Sequence, residues 1–167
     1  VRIVGRSATI DGLNRSRLFD VRPGGQLVAE DASLVNGMSS SFLVLDGPDT
    51  GGGFLNAGRL VLDGVAISAS SSGNGGGAIH QLHGSTTLTD VTIHGSGAGM
   101  LSTNGSVIWA ASGDLQVSRT SITGSPSPEA GPVRMRRPAL LGAPQSVQPA
   151  GPMRAARRRS GAGRLAA

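Results

Sequence analysis

The chain has 167 residues, with 27 Gly but only one Trp and three Phe, and it contains neither Tyr nor Cys. The lack of Cys excludes disulfides and thiolate metal sites. Because large aromatic anchors are scarce, aliphatic residues and Thr must fill any core, which favours stacked strands over a helical bundle or a sandwich. No stretch of roughly 18 or more apolar residues occurs, so the sequence predicts no transmembrane segment.

The formal net charge of +5 is unevenly distributed along the chain. Residues 1–125 carry seven Arg against nine carboxylates, whereas residues 126–167 carry eight Arg against Glu129 alone. The basic character therefore belongs to the C-terminal segment and says nothing about partners of the preceding part. This segment could bind a polyanion through counterion release, independently of the preceding part. Since no aromatic residues are interleaved with these Arg, the sequence predicts a solvated tail and no specific nucleic-acid partner.

The chain opens with short apolar segments separated by Gly. Residues 1–12 read as two short strands punctuated by Gly5 and Gly12, and residues 17–21 read as a third, before a turn at residues 23–25. The first residue is Val, and no basic-then-apolar signal segment is recognisable. We therefore expect the sequence to be a piece of a longer or processed protein, with further coils or caps outside it.

Four ten-residue stretches share one pattern and align without gaps. They are residues 25–34, 58–67, 84–93 and 113–122. The first position is always Gly, the last is Leu or Ile, and positions three, five and eight are apolar or small β-branched residues. The stretches recur after 33, 26 and 29 residues. This spacing indicates a stacked-repeat architecture, in which each unit buries its apolar face against its neighbours.

Each repeat is preceded by a shorter strand and followed by a loop. The shorter strands are predicted at residues 19–21, 54–55, 78–79 and 107–109. Loops rich in Gly and Ser separate the coils, above all at residues 68–77 and 96–105. No window sustains a helical apolar stripe. Strands connected in this way must stack in parallel, roughly 4.8 Å apart, with continuous aliphatic ladders inside.

The pattern stops after residue 125. Pro recurs too often beyond this point for a strand or a helix, and the mixture of Pro, Gly, Ala and Arg buries little. We therefore predict a repeat domain over residues 1–125 and a disordered, Arg-rich basic tail over residues 126–167.

The body of the chain resembles a known class of fold. The segments at residues 8–12 and 17–21, with the Leu-x-Leu-x-x-Val-x-Ile pattern of residues 60–67, resemble right-handed parallel β-helix proteins of the pectin-lyase-like kind. The Gly-Gly-Ala-Ile segment at residues 76–79 is similar to a repeat element of polymorphic outer-membrane proteins, which are surface adhesins. The resemblance implies an all-β right-handed parallel β-helix of about four to five coils.

Two functions follow from this resemblance. The first is a non-catalytic scaffold or adhesin, extracellular or at the cell surface, with a carbohydrate or a host or cell-surface protein as its partner. The second is a truncated polysaccharide lyase or glycoside hydrolase. Similar folds support both, so the fold does not choose between them. An enzyme would gather carboxylates, Arg and an aromatic residue in one groove, whereas a scaffold would scatter them.

The carboxylates that an enzyme would need lie at a bend in the repeats. Cleavage of a glycoside uses two carboxylates facing each other across the bond. In the alignment Asp31 and Asp90 share one column, with Gly64 between them, and Arg119 continues the column. The sequence therefore predicts an Asp90–Arg119 pair on adjacent rungs, either as a binding element or as a solvated surface pair.

The remaining candidates are imidazoles and the single Trp. His80 and His83 share one short segment, and His94 ends a strand of the same coil. A three-His metal site needs convergent ring nitrogens, but opposite sides of a flattened coil would separate His94, so no metal or other cofactor is predicted. Trp109 could offer a flat face to a sugar or could pack at an edge. No catalytic residue is assigned. The candidate binding residues are Asp90, Arg119, His80, His83 and Trp109.

Overall fold

The computed structural model describes residues 1–39, 50–98, 107–124 and 132–135, and its regular elements within these ranges are all strands. In chain order they are β1 (Arg2–Val4), β2 (Thr9–Asp11), β3 (Phe19–Val21), β4 (Gln26–Glu30), β5 (Ser33–Val35), β6 (Met38–Ser39), β7 (Phe54–Asn56), β8 (Arg59–Asp63), β9 (Ala66–Ser68), β10 (Ser71–Ser72), β11 (Ile79–Gln81), β12 (Ser85–Thr89), β13 (Thr92–His94), β14 (Gly97–Ala98), β15 (Ile108–Ala110), β16 (Asp114–Ser118), β17 (Ser121–Thr123) and β18 (Val133–Met135).

The strands form four parallel sheets that run along one axis. Sheet A has the order β1-β4-β8-β12-β16, sheet B β2-β5-β9-β13-β17, sheet C β18-β15-β11-β7-β3, and the short sheet D β14-β10-β6. Successive coils pass through sheets C, A, B and D in turn, so each coil stacks on the one before it. The fold is an all-β parallel solenoid of about four turns, as the sequence predicts. No helix able to cross a membrane occurs in the described ranges.

The register of sheet A is the register of the gap-free sequence alignment. Gln26 pairs with Arg59, Arg59 with Ser85, and Ser85 with Asp114, each the second position of its repeat. In sheet B the tenth positions stack in the same way, from Leu34 through Ile67 and Ile93 to Ile122. The repeats are therefore superposed rungs, and the predicted ladders exist.

The stacked aliphatic side chains of sheets A, B and C point inward and form the hydrophobic core. Leu60, Leu62 and Leu88 are at most 1% exposed, because each is covered by a rung above and a rung below. Inward positions alternate with outward ones along each strand, which is the two-residue period of β-structure. On the last described rung of sheet B, Ile122 is only half-buried, since no further strand follows it there.

Corners in left-handed conformation join the sheets. Between sheets A and B one residue of every repeat has a positive φ: 49° at Asp31, 61° at Gly64, 52° at Asp90 and 45° at Arg119. This residue is position seven of its repeat, one of the two residues that separate the apolar positions five and eight and so interrupt the two-residue period. Three of the four are not Gly, and each such residue carries a backbone cost of roughly 1–2 kcal/mol. The stacking of rungs must offset that cost.

The Gly column has a steric origin. At Gly84 the φ is +80°, and a Cβ would lie 1.9 Å from the carbonyl oxygen of Gly58 on the preceding rung. That oxygen accepts a hydrogen bond from the amide of Ser85 at 2.9 Å. A Cβ at Gly113 would similarly lie 2.2 Å from the carbonyl oxygen of Gly84. The turn from sheet C to sheet A is therefore too tight for any side chain.

Two elements of the solenoid lie where the sequence indicates none. Strand β18 pairs with β15 inside the segment predicted to be a disordered tail. Val133 continues the inward column above Ile108, and Pro132 precedes the strand, a place where its missing N–H is tolerated. The other residues of that segment lie outside the described ranges. The two-residue strands of sheet D fall in or beside the predicted loops, because they are too short to show a period.

Candidate functional site

The predicted Asp90–Arg119 pair is present at the corner between sheets A and B. Arg119 donates from Nε to Oδ1 and from Nη2 to Oδ2 of Asp90, both at 2.7 Å. Hydrogen bonding from Arg119 lowers the pKa of the Asp90 carboxyl, and the same contact raises the pKa of the guanidinium. The two side chains are 49% and 67% exposed, so solvent screens their attraction.

In this geometry the hydrogen bonds between Asp90 and Arg119 limit what either side chain can bind. The two oxygens of Asp90 are both engaged by the guanidinium, so an acidic ligand would have to displace the carboxylate to reach Arg119. Asp31, the other carboxylate of this column, is two rungs away from Asp90. Its side chain lies against Gly64, so that a Cβ added at Gly64 would be 2.8 Å from Asp31 Oδ1. Two further ion pairs lie elsewhere on the solenoid, between Arg2 and Glu30 and between Arg22 and Asp20.

A second group of candidates lies on the outer face of sheet C. There Leu55, His80 and Trp109 stand side by side on β7, β11 and β15. The rings of His80 and Trp109 are stacked, with centroids 4.2 Å apart and planes 8° from parallel. His80 is only 2% exposed and Leu55 6%, although both point away from the core. Sheet C is therefore covered on both faces along these two strands.

A segment just before β7 provides part of the cover. Arg17 donates from Nε to the Gly51 carbonyl at 2.9 Å and from Nη2 to the Thr50 carbonyl at 2.8 Å. The Thr50 hydroxyl is hydrogen-bonded to His80 Nδ1. Arg17 thus holds this segment in place, and the segment meets the imidazole. We call Arg17, Thr50, His80 and Trp109 the His80 cluster.

The His80 imidazole is neutral near pH 7. Burial, and to a lesser extent the positive charge of Arg17, lower its pKa to about 4. Its Nε2 has no hydrogen-bond partner among the described residues. The imidazole is thus covered from solvent, and it packs on the outer face of sheet C between Leu55 and Trp109.

The burial of His80 predicts a pH dependence of stability. The unfolded chain takes up a proton near the usual imidazole pKa of about 6.5, whereas the folded chain does so only near 4. The contribution of neutral His80 is thus complete above pH 6.5 and is lost as the pH falls towards 4. We expect a loss of about 2–4 kcal/mol over this window, measured by urea unfolding at several pH values.

A matched pair of variants isolates the effect. In His80→Gln the pH dependence between 6.5 and 4 should flatten, whereas His83→Gln changes an exposed imidazole and should keep the slope of the parent chain. Equal slopes in His80→Gln and in the parent would show that His80 is not the titrating group.

The three imidazoles do not converge. His83 is exposed in the turn after β11, whereas His94 lies on sheet B with its Nδ1 3.0 Å from the Thr123 hydroxyl. His80 is on sheet C, so the expected separation of His94 from it is confirmed. Across the described ranges no group of three His, Cys, Asp or Glu side chains could hold a metal ion.

Sequence reasoning missed a polar column at the corner between sheets C and A. Asn56 donates from Nδ2 to Ser85 O and to Thr86 Oγ1, both at 2.9 Å, and accepts from the Gly58 amide at 3.0 Å. On the next rung Gln81 donates to Ser112 O at 2.7 Å. The polar residues that end β7 and β11, Asn56 and Gln81, were the available signal. These amides satisfy backbone groups at the tight Gly turns.

Comparison with protein-family models, with curated proteins and with solved structures found no match for this chain.

Proposed function

We propose that the chain is a non-catalytic solenoid module of the pectin-lyase-like β-helix kind, secreted or at the cell surface, that acts as a scaffold or adhesin. One observation carries the proposal: among the described residues, the groups that an enzyme would need to bring together are dispersed. Asp90 and Arg119 neutralise each other at the corner of sheets A and B, whereas Trp109 stacks on His80 at sheet C. This dispersal favours a scaffold over a polysaccharide lyase or hydrolase.

The outer face of sheet A is the surface on which we expect a partner to bind. Val28, Val61 and Thr87 stack in one outward column on adjacent rungs, and all three are half-exposed. Exposed Gln26 and Arg59 flank this stripe. A flat surface of methyl and hydroxyl groups with polar margins suits a carbohydrate chain or a protein of the cell surface.

Binding and cleavage assays test this proposal together. The folded chain is applied to arrayed acidic and neutral polysaccharides and to intact cells, and the soluble fractions are assayed for new reducing ends and for unsaturated uronate. We expect binding without cleavage. Val61→Arg should abolish binding, whereas Thr92→Arg, which adds the same charge to the outer face of sheet B, should not.

Two results would contradict the proposal. Release of sugar products that disappears in Asp90→Asn would favour the lyase or hydrolase. An absence of binding to every polysaccharide and every cell type would contradict the adhesin.

A further inference from the structure

The outer face of sheet A carries opposite charges on the two sides of its apolar stripe. On β8 the outward residues are Arg59, Val61 and Asp63, so a base, an apolar side chain and an acid follow one another along the strand. Arg59 and Asp63 are exposed, and in the described ranges neither has an ion pair or a side-chain hydrogen bond. They lie roughly 13 Å apart along the strand, too far to neutralise each other. Because β8 is flanked by β4 and β12, their exposure does not depend on the ends of the solenoid.

This charge pattern is complementary to itself under one rotation. A two-fold axis that lies in the plane of contact and runs along the solenoid sets each strand of sheet A antiparallel to the same strand of a second copy. Arg59 then faces Asp63 of the second copy, Asp63 faces its Arg59, and the two Val61 side chains meet. Symmetry produces the ion pair twice. A two-fold axis along the strands would instead set Arg59 against Arg59, so the charges select the first arrangement.

The neighbouring rungs fit the same rotation. The stripe from Val28 to Thr87 meets its own copy with methyl and hydroxyl groups. On β1, Arg2 continues this column, but its charge is neutralised by Glu30. At the margins the rotation brings no like charges together. The facing pairs there are Gln26 with Glu30, Ser85 with Thr89, and Asp114 with Ser118.

The area of this contact is small. Five-residue strands on four rungs, β4, β8, β12 and β16, about 4.8 Å apart, give a footprint of roughly 250 Å² on each copy. Stable complexes bury roughly 800 Å² on each partner. Two single chains should therefore separate readily. Many copies displayed on one surface would hold together far better, because linked copies raise the effective concentration of the remaining contacts.

We propose that the protein partner of the outer face of sheet A is a second copy of this chain, bound face to face through the antiparallel two-fold contact. This inference rests on the function proposed above, since it takes sheet A as the binding face and adhesion as the role. It goes further in naming the partner. Two surfaces that both display the chain densely would adhere to each other.

Aggregation of coated beads, followed by light scattering, is the experiment. The folded parent chain is coupled to beads at several densities. Parent beads should clump above a threshold density, and high salt should disperse them. Arg59→Asp beads and Asp63→Arg beads should each stay dispersed, because each substitution sets like charges against each other twice. A mixture of these two kinds of bead should clump, since two acids on one chain then face two bases on the other.

A double variant tests the register of the contact. Arg59→Asp combined with Asp63→Arg keeps the face self-complementary but reverses its charges. These beads should clump with one another and not with parent beads. Thr92→Arg, on the outer face of sheet B, is the matched control and should clump like the parent. All three positions are exposed, so the variants should fold, which circular dichroism checks.

Sedimentation equilibrium of the uncoupled chains gives the strength of the contact. The parent should show weak dimerisation at high concentration, and Arg59→Asp should raise its dissociation constant roughly tenfold or more, because like charges are brought together twice.

Three outcomes would overturn the proposal. They are parent beads that stay dispersed at every density, single variants that clump as the parent does, and a mixture of the two single variants that stays dispersed. If any of these came with binding to a polysaccharide or to cells that Val61→Arg abolishes, the function proposed above would stand, and the partner would be another molecule.

Discussion

Replacing Leu62 with Ala is expected to lower the free energy of unfolding by about 2–5 kcal/mol, as for other fully buried aliphatic truncations. Leu62 is 0% exposed and lies in sheet A between Ala29 and Leu88 on the neighbouring rungs. The truncation removes apolar contacts and leaves a cavity that two fixed rungs cannot close. Chemical denaturation followed by far-ultraviolet circular dichroism measures the loss.

Val61→Ala is the matched control. Val61 is the neighbour of Leu62 on the same strand, but it points outward and is half-exposed. Its truncation should therefore cost clearly less than that of Leu62. A larger loss at Val61 than at Leu62 would mean that the inward and outward faces of sheet A are assigned to the wrong sides.

Gly84→Ala is expected to lower the free energy of unfolding at least as much as Leu62→Ala, for a different reason. The left-handed backbone at Gly84 costs an Ala roughly 1–2 kcal/mol, and the clash of its Cβ with the Gly58 carbonyl adds about 1–3 kcal/mol or more. Relief of the clash would also pull apart the hydrogen bond from the Ser85 amide to that carbonyl. We expect a large drop in stability or a failure to fold, read from the yield of soluble protein and its unfolding midpoint.

Gly24→Ala separates the two contributions. Gly24 has nearly the same φ, +75°, but a Cβ there would meet nothing within 4 Å. This variant should lose only the backbone contribution and should fold. If Gly24→Ala and Gly84→Ala were equally destabilised, the steric contact between rungs would play no part, and the Gly column would reflect backbone conformation alone.

The corner residues show how the solenoid tolerates strain. Asp31, Asp90 and Arg119 occupy the left-handed region at one column, where Gly would be easier to accommodate. Asp is among the few residues that visit this region readily, and Arg119 is held there beside Asp90 by two hydrogen bonds. The pair therefore has a structural role at the corner, whatever it contributes to binding.

Much of the fold could be predicted because the repeats are direct. The Gly at position one and the Leu or Ile at position ten fix both ends of each rung, so one gap-free alignment predicts the register of sheets A and B. The short strands of sheet C were located within one or two residues. Strand β18 was missed because a three-residue strand among many Pro residues has no local signal, and only pairing with β15 defines it.

The candidate site was less predictable. The adjacency of Asp90 and Arg119 followed from the alignment, because both lie in one column of the repeat. The burial of His80 did not follow from it. His80 alternates with inward Ile79, and the pattern therefore predicts exposure. Its cover depends on Arg17 and Thr50, which lie 63 and 30 residues away in sequence and carry no motif.

The sequence by itself determined which residues stack on which, because identical rungs pair in parallel at one fixed spacing and small or branched residues must repeat in place. It also determined where the side chains of Asp90 and Arg119 meet. Only the tertiary structure decided that sheet C is covered on its outer face along β7 and β11 and that His80 is buried there. These features depend on contacts between distant segments, which have no period in the chain.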